Sequence, residues 1–377
     1  MKKKNYILNL PLLFCLFFFM IISVLTILSA SDYLSISLGR LYLKQLFWYA
    51  LGFLVMFLVI KIGNKRIKHF SWVLYFLGNF LLLLLLFIGK PINNSRCWFV
   101  IPGIGSFQPS EFMKIFLILI IGHIAYPMID EKKHLSLQEE LFLIGKVILL
   151  FLLPAILTFL EPDTGVILLY FIISVSILFI SPIRKRWFLI TGGIGLFLLS
   201  VFLFLYFEQQ KTFVNLFGTD LFYRIDRLLD WKNGTGLQLE NSLTAIGSSG
   251  LYGHGFHHTP LYFPEAGTDF IFSVYASNFG LIGSYLLLIV LLLFDFTLFK
   301  IAKNTKNKED LAIIIGGASM IIYQQFQNIA MTLGVLPITG ITLPFVSYGG
   351  SSLLSYMFLL GIIFNIYNDS EKKINKK

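Results

Sequence analysis

Ten near-continuous apolar runs leave a bundle of membrane-spanning helices as the fold this chain can adopt. They cover residues 7–28, 46–62, 70–88, 112–128, 141–160, 165–181, 187–207, 279–299, 311–334 and 345–367. A helix needs roughly 20 such residues to cross the hydrocarbon core of a bilayer. The remaining sequence is too poor in charge to coat a soluble domain of this size. Apolar residues make up 56% of the chain, Phe alone supplies 40 of 377 residues, and charged residues are only 13%. The expected fold is therefore all-α: a polytopic membrane protein of about ten transmembrane helices in one membrane domain over 1–377, with a long outer loop between helices 7 and 8. Lys2, Lys3 and Lys4 precede the first run as they would in a signal peptide. That run is long for such a segment and lacks a clear small-residue cleavage site after Ile27 and Leu28, so it is read as a retained helix.

Ten spans put both termini on one side, and basic residues choose which side. With the N-terminus in the cytoplasm, the inner loops hold 20 of the 30 Lys and Arg residues, while the far longer outer loops hold eight. That is the distribution the positive-inside rule asks for, and it places the chain in the bacterial cytoplasmic membrane with both termini inside. The net charge of +10 is then mostly topology. It forms no single patch interleaved with aromatics, so no nucleic-acid partner is expected. Cys15 lies mid-span and Cys97 in an outer loop, so a disulfide between them is not expected.

Three outer segments interrupt the apolar pattern: a Pro- and Gly-rich loop at 89–111, a long polar stretch at 208–268, and a short Gly/Pro/Thr connection at 335–346. Long loops in compact proteins are functional or disordered. The 208–268 loop carries apolar residues throughout and helix-like pieces at Leu221–Trp231 and Gln238–Gly247, which favours order and part of an active site.

Ionisable residues at the ends of spans are the functional candidates. Glu111 and Lys114 open the fourth span at i, i+3, a spacing that allows an ion pair, either structural or substrate-binding. Glu161 and Asp163 flank Pro162, where a solvated turn with a capping Asp is the simpler reading. Gln324, Gln325, Gln327 and Asn328 lie inside the ninth span, where hydrogen bonds between helices would account for them. Asp269 opens the eighth helix. With Ser273, Ala276, Gly280 and Ser284 it forms a small and polar stripe that would face the bundle interior and aim the carboxylate into an outer cavity. It reads either as a helix N-cap or as a general base of raised pKa. His254, His257 and His258 lack the spacing and fourth partner of a zinc site, so no metal is expected there.

Five segments, in order, resemble the SEDS family (shape, elongation, division and sporulation proteins). They are 98–114 (from Trp98-Phe99-Val100-Ile101-Pro102 to Lys114), Glu161-Pro162-Asp163-Thr164-Gly165, Ala245 to Gly255, Pro264-Glu265-Ala266-Gly267-Thr268-Asp269-Phe270-Ile271-Phe272, and Pro337 to Ser352. The 98–105 segment leans toward the rod-shape branch. The resemblance implies a peptidoglycan glycosyltransferase that polymerises lipid II, the undecaprenyl-pyrophosphate-linked disaccharide peptide, at the outer face of the membrane, with inversion. It implies Asp269 as the catalytic base. Cations must then stabilise the pyrophosphate leaving group, and Arg96, Lys114, Arg224 and Arg227 are candidates, with a divalent cation (Mg or Mn) as a further possibility. Trp98, Gln108, Ser110, Glu111, Asp163, Ser242, Ser347 and Ser351 complete the substrate-binding set. A single-span class B penicillin-binding protein is the implied partner. The chain departs from the family pattern at Gly267, Ser277, Asn278, His254, Leu237 and Asn241. Two other functions remain open: a lipid II flippase, and a non-catalytic scaffold for a penicillin-binding protein.

Overall fold

The computed structural model describes residues 9–30, 40–89, 96–101, 105–131, 135–219, 221–222, 237–262 and 264–374. Ten long helices match the ten apolar runs: α1 (Leu10–Ala30), α2 (Leu41–Ile62), α4 (Ser71–Ile88), α5 (Pro109–Glu131), α6 (Leu137–Leu160), α7 (Thr164–Ile180), α8 (Arg186–Glu208), α11 (Ile271–Asn304), α12 (Lys308–Thr332) and α13 (Gly350–Ile374). Short helices α3 (Asn64–His69), α9 (Gln210–Phe217) and α10 (Leu237–Ser248) join them. Strands β1 (Phe99–Ile101) and β2 (Gly105–Phe107) form an antiparallel hairpin, a small addition to the all-α expectation. Eight of the long helices are long and apolar enough to cross a membrane, and α7 is a shorter apolar helix of 17 residues.

Sequence chemistry sorts the helices into layers. The central helix is α5, in which every residue from Met113 to Ile121 is buried, as befits a helix apolar all round. It packs on α4, α6, α7, α12 and α13. The ninth long helix, α12, is the polar one, and its four amide side chains are all buried. Two of the four make the expected bonds between helices: Gln324 donates to the Tyr356 hydroxyl of α13, and Gln325 to Asp295 of α11. The other two hold non-helical backbone, Gln327 at Pro337 O and Asn328 at Asp269 O and Ile341 O. Asp295, an intramembrane carboxylate hidden in an apolar run, is thus the partner that Gln325 serves. At the opposite extreme is α8, where Tyr206 is the one buried residue. Its foot is tied to α6 through the buried Glu140, which accepts from Arg184 N, Arg184 Nε and Trp187 Nε1.

The polar stripe expected along the eighth span is interrupted. Gly280 has φ 63° and ψ −160°, which breaks α11 into two helical pieces. The freed backbone groups are taken up by the loop before it. His254 N and Gly255 N donate to Ser277 O and Asn278 O, while Leu281 N and Ile282 N donate to Gly250 O and Leu251 O. Kinks of this kind need a partner for the lost ladder, and 250–255 supplies it. The two chains approach so closely that a Cβ on Gly280 would lie 2.3 Å from Gly253 N. Gly280→Ala is therefore expected to cost at least about 2 kcal/mol from the left-handed backbone alone. A detergent-solubilised variant with an unchanged thermal midpoint would rule this out.

Ser277 and Asn278, two of the departures from the family pattern, sit at this break. Asn278 donates to Ser29 and accepts from Thr259, and His254 Nδ1 contacts Ser277. They fasten α1, α11 and the loop together.

Candidate active site

A cavity of about 460 Å³ lies where several helices begin. Gln108 and Glu111 reach it from the start of α5, Asp163 from the residue before α7, and Gly350 and Ser351 from the first turn of α13. Thr268 and Asp269 enter from the turn ahead of α11, and Gln324 enters from α12. The β-hairpin contributes Gly105 and Ser106, and the 335–346 connection contributes Thr339 to Thr342. The three outer segments that stood out in the sequence thus converge through these described residues.

Asp269 is held by its backbone. Tyr348 N donates to Gly267 O at 2.9 Å, Ser347 Oγ to Thr268 O at 2.6 Å, and Asn328 Nδ2 to Asp269 O at 2.8 Å. Three successive carbonyls are therefore fixed from three points in the last fifth of the chain. The carboxylate itself lines the cavity, and Gly340 stands beside it, where an added Cβ would lie 3.6 Å from Oδ2. The N-cap reading does not hold: the residue before α11 is Phe270, and no side chain caps that helix. Burial first, and then the negative charges of Glu265 and Asp163, raise the Asp269 carboxyl to about 7.

Asp163 has both of its possible roles. One oxygen accepts from Val166 N and so caps α7, while the other accepts from Gln108 Nε2 at 2.8 Å. Burial and the Glu111 charge raise it to about 6. Glu161 corrects the solvated-turn reading. It is 0% exposed, neither carboxylate oxygen has a hydrogen-bond partner, and burial followed by the Asp163 charge raises it to about 8. It therefore stays protonated at neutral pH. Its backbone carbonyl accepts from the Cys97 thiol at 2.9 Å; Cys97 and Cys15 are both free thiols.

The expected ion pair forms. Lys114 Nζ lies 2.8 Å from Glu111 Oε2 and 5.2 Å from the centre of the Tyr356 ring, with the Lys114 side chain wholly buried. Glu111 faces the cavity and Lys114 stands behind it. Of the other sequence candidates, Trp98, Gln108, Asp163 and Ser351 line the cavity with Asp269. Ser347 supports the Asp269 turn without lining it. Ser110 is buried in α5, its carbonyl accepting from Tyr170. Ser242 packs α10 against its neighbours, sharing a hydrogen with Ser273 and donating to Thr332 O. Arg96 is exposed and outside the cavity wall. Arg224 and Arg227 lie outside the described residues, as does most of Leu221–Trp231.

The described lining carries the carboxylates Glu111, Asp163, Glu265 and Asp269 and no Lys or Arg. Among the described residues no three His, Cys, Asp or Glu side chains gather as metal ligands. A hard divalent cation needs no such cluster where one or two carboxylates hold it together with substrate phosphates, and Asp163 and Asp269 are the residues that would do so. Sequence reasoning missed Trp48, which lies in an apolar run with nothing to mark it. It also passed over Glu265 and Tyr348, although both stand inside the quoted motifs.

The family model for the cell cycle proteins FtsW, RodA and SpoVE matches residues 5–372. A probable peptidoglycan glycosyltransferase FtsW of Wigglesworthia glossinidia brevipalpis is 32% identical over 97% of this chain and 94% of its own. Stage V sporulation protein E of Bacillus subtilis is 31% identical over 86% of each. Among solved structures, a chain from a peptidoglycan synthase complex aligns with TM-score 0.79 at 26% identity, over 97% of this chain and 98% of that one. The crystal structure of the rod shape determining protein RodA of Thermus thermophilus aligns with TM-score 0.69 at 25% identity, over 98% and 99%. A match over nearly the whole length, in sequence and in fold, makes this chain an integral membrane protein of the FtsW, RodA and SpoVE family.

Proposed function

We propose that this protein is an inverting peptidoglycan glycosyltransferase that polymerises lipid II at the outer face of the bacterial cytoplasmic membrane, in elongation, division or sporulation. The observation that carries the reading is the Asp269 carboxylate, fixed through its backbone, unpaired with any described donor, and open to a cavity of about 460 Å³. Relatives named as peptidoglycan glycosyltransferases support the reaction class.

In this reading Asp269 takes the proton from the attacking sugar hydroxyl. The hydroxyl oxygen forms a bond to the anomeric carbon as the bond from that carbon to the pyrophosphate breaks in line. The electron pair leaves with undecaprenyl pyrophosphate. A carboxylate near pKa 7 suits this role, because a stronger base pulls harder on the proton while still being ionised at neutral pH. The leaving group's growing charge meets the first turns of α5, α7 and α13, whose dipoles favour anions.

A class B penicillin-binding protein is the proposed partner. A structural neighbour from a complex described as coordinating polymerization and crosslinking supports it. Both termini lie in the cytoplasm, and the cavity then opens outward. A flippase would place its ionisable residues at the bilayer midplane; the cavity carboxylates instead stand at helix starts on one side.

The pH dependence of polymerisation tests the assignment. Asp269 must be ionised to act, so the rate is expected to fall as pH drops through about 7. Glu265→Gln removes one of the charges that raise Asp269 and is expected to move the acidic limb to lower pH. Glu265 is exposed, so solvent screens it and the movement is less than about one unit. A rate independent of pH between 5 and 8, or a limb moved to higher pH, would exclude Asp269 as the base.

A further inference from the structure

We propose that Asn328 is a positioning residue for Asp269, one that fixes the base against a second cavity-lining segment by bonding both through a single amide nitrogen. The proposal rests on the polymerase reading for its consequence, and on geometry for its substance. Asn328 Nδ2 donates to Asp269 O at 2.8 Å and to Ile341 O at 2.8 Å. Both hydrogens of the amide are thus used, one on each of two segments that line the cavity. Asp269 belongs to the turn ahead of α11, whereas Ile341 belongs to the 335–346 connection. Nothing covalent links those two segments closer than the whole of α11 and α12.

The neighbouring contacts show why this clamp bears on the carboxylate. Thr339, Gly340, Ile341 and Thr342 line the cavity, and Gly340 stands beside Asp269 Oδ2. Gly340 has φ 71°, a left-handed conformation that leaves no side chain between wall and base. Shifting Ile341 would move that wall, and shifting Asp269 would move the base. Asn328 makes both motions one. Gln327, the residue before it, donates to Pro337 O and holds the start of the same connection. Asn328 is itself 0% exposed, and its Oδ1 has no partner. An apolar residue would fill this position at lower cost, so the amide is kept for its two donated bonds. Ser347 Oγ donates to Thr268 O and accepts from Leu343 N, and Tyr348 N donates to Gly267 O; Asn328 is the residue that bonds the aspartate's own carbonyl.

Charges facing Asp269 come from Glu265 on its own turn, Asp163 ahead of α7, and Glu111 on α5. None of these contacts Asn328, so replacing Asn328 changes the position of the base and not the charges around it. Once released, the carboxylate relaxes toward solvent and loses part of the burial that raises it.

The test compares wild type with Asn328→Ala and Asn328→Leu, which keeps the branched shape of Asn and carries neither donor nor charge. Two readouts are taken: kcat and KM on lipid II, and the pH midpoint at which a carbodiimide labels the protonated Asp269 carboxyl, followed by mass spectrometry. Both variants are expected to lose about 10- to 100-fold in kcat with KM within about threefold. The labelling midpoint is expected to fall by about one pH unit. The proposal is overturned if either variant, folded as judged by its elution and thermal midpoint, labels with the wild-type midpoint, or keeps kcat within twofold. Labelling needs no turnover, so a wild type that makes no polymer would overturn the polymerase reading while the midpoint still decides the role of Asn328.

Discussion

Glu111→Ala is expected to destabilise the protein by about 3–5 kcal/mol, because it leaves the Lys114 ammonium buried without its counter-charge. Lys114 is 0% exposed and holds Glu111 at 2.8 Å, with the centre of the Tyr356 ring 5.2 Å from its nitrogen. A cation over an aromatic face supplies about 2 kcal/mol at best in a dry setting, less than the loss. The reverse change is milder. Lys114→Met leaves Glu111 at the cavity wall, where water reaches it, so a loss of about half that size is expected. Replacing both residues, as in Glu111→Ala with Lys114→Met, removes the unpaired charge and should recover most of the stability. Thermal unfolding of the four proteins in one detergent checks this. A Glu111→Ala midpoint equal to wild type, or a double variant less stable than Glu111→Ala, would refute the ion pair as a structural element.

Asp269→Asn is expected to reduce polymerisation by at least about a thousandfold, near the upper part of the range for a lost general base. Asn keeps the size and the backbone anchors from Asn328, Ser347 and Tyr348, so the fold is expected to remain. What it loses is the ability to accept a proton. The loss should therefore appear in kcat with KM little changed. Binding of lipid II is expected to survive, as is any movement of lipid II across a vesicle bilayer, which separates chemistry from transport. A scaffold would show no change in any of these.

The fold was legible because its signal is one-dimensional: each apolar run became one helix. The ion pair at Glu111 and Lys114 followed from i, i+3 spacing. Positions set by tertiary contact were harder. The break at Gly280 depends on Gly250 to Gly255 lying against it, and nothing near Gly280 in the chain announces that partner. Glu161 reads as a surface acid beside Pro162, yet the chain buries it behind Asp163 and Cys97. Trp48 has no sequence neighbour in the site; it arrives there because α2 packs along α13. The amide cluster of α12 was read as glue between helices. That is right for Gln324 and Gln325, while Asn328 instead grips two loops, which only the folded chain brings together.

The measurement that bears most directly on the account is strand formation from labelled lipid II by the purified protein, with a class B penicillin-binding protein present, beside Asp269→Asn at equal amount. The account predicts glycan strands from the wild type and none above background from the variant. Strands from the variant at a comparable rate would contradict it, as would their absence from a folded wild type with its partner present.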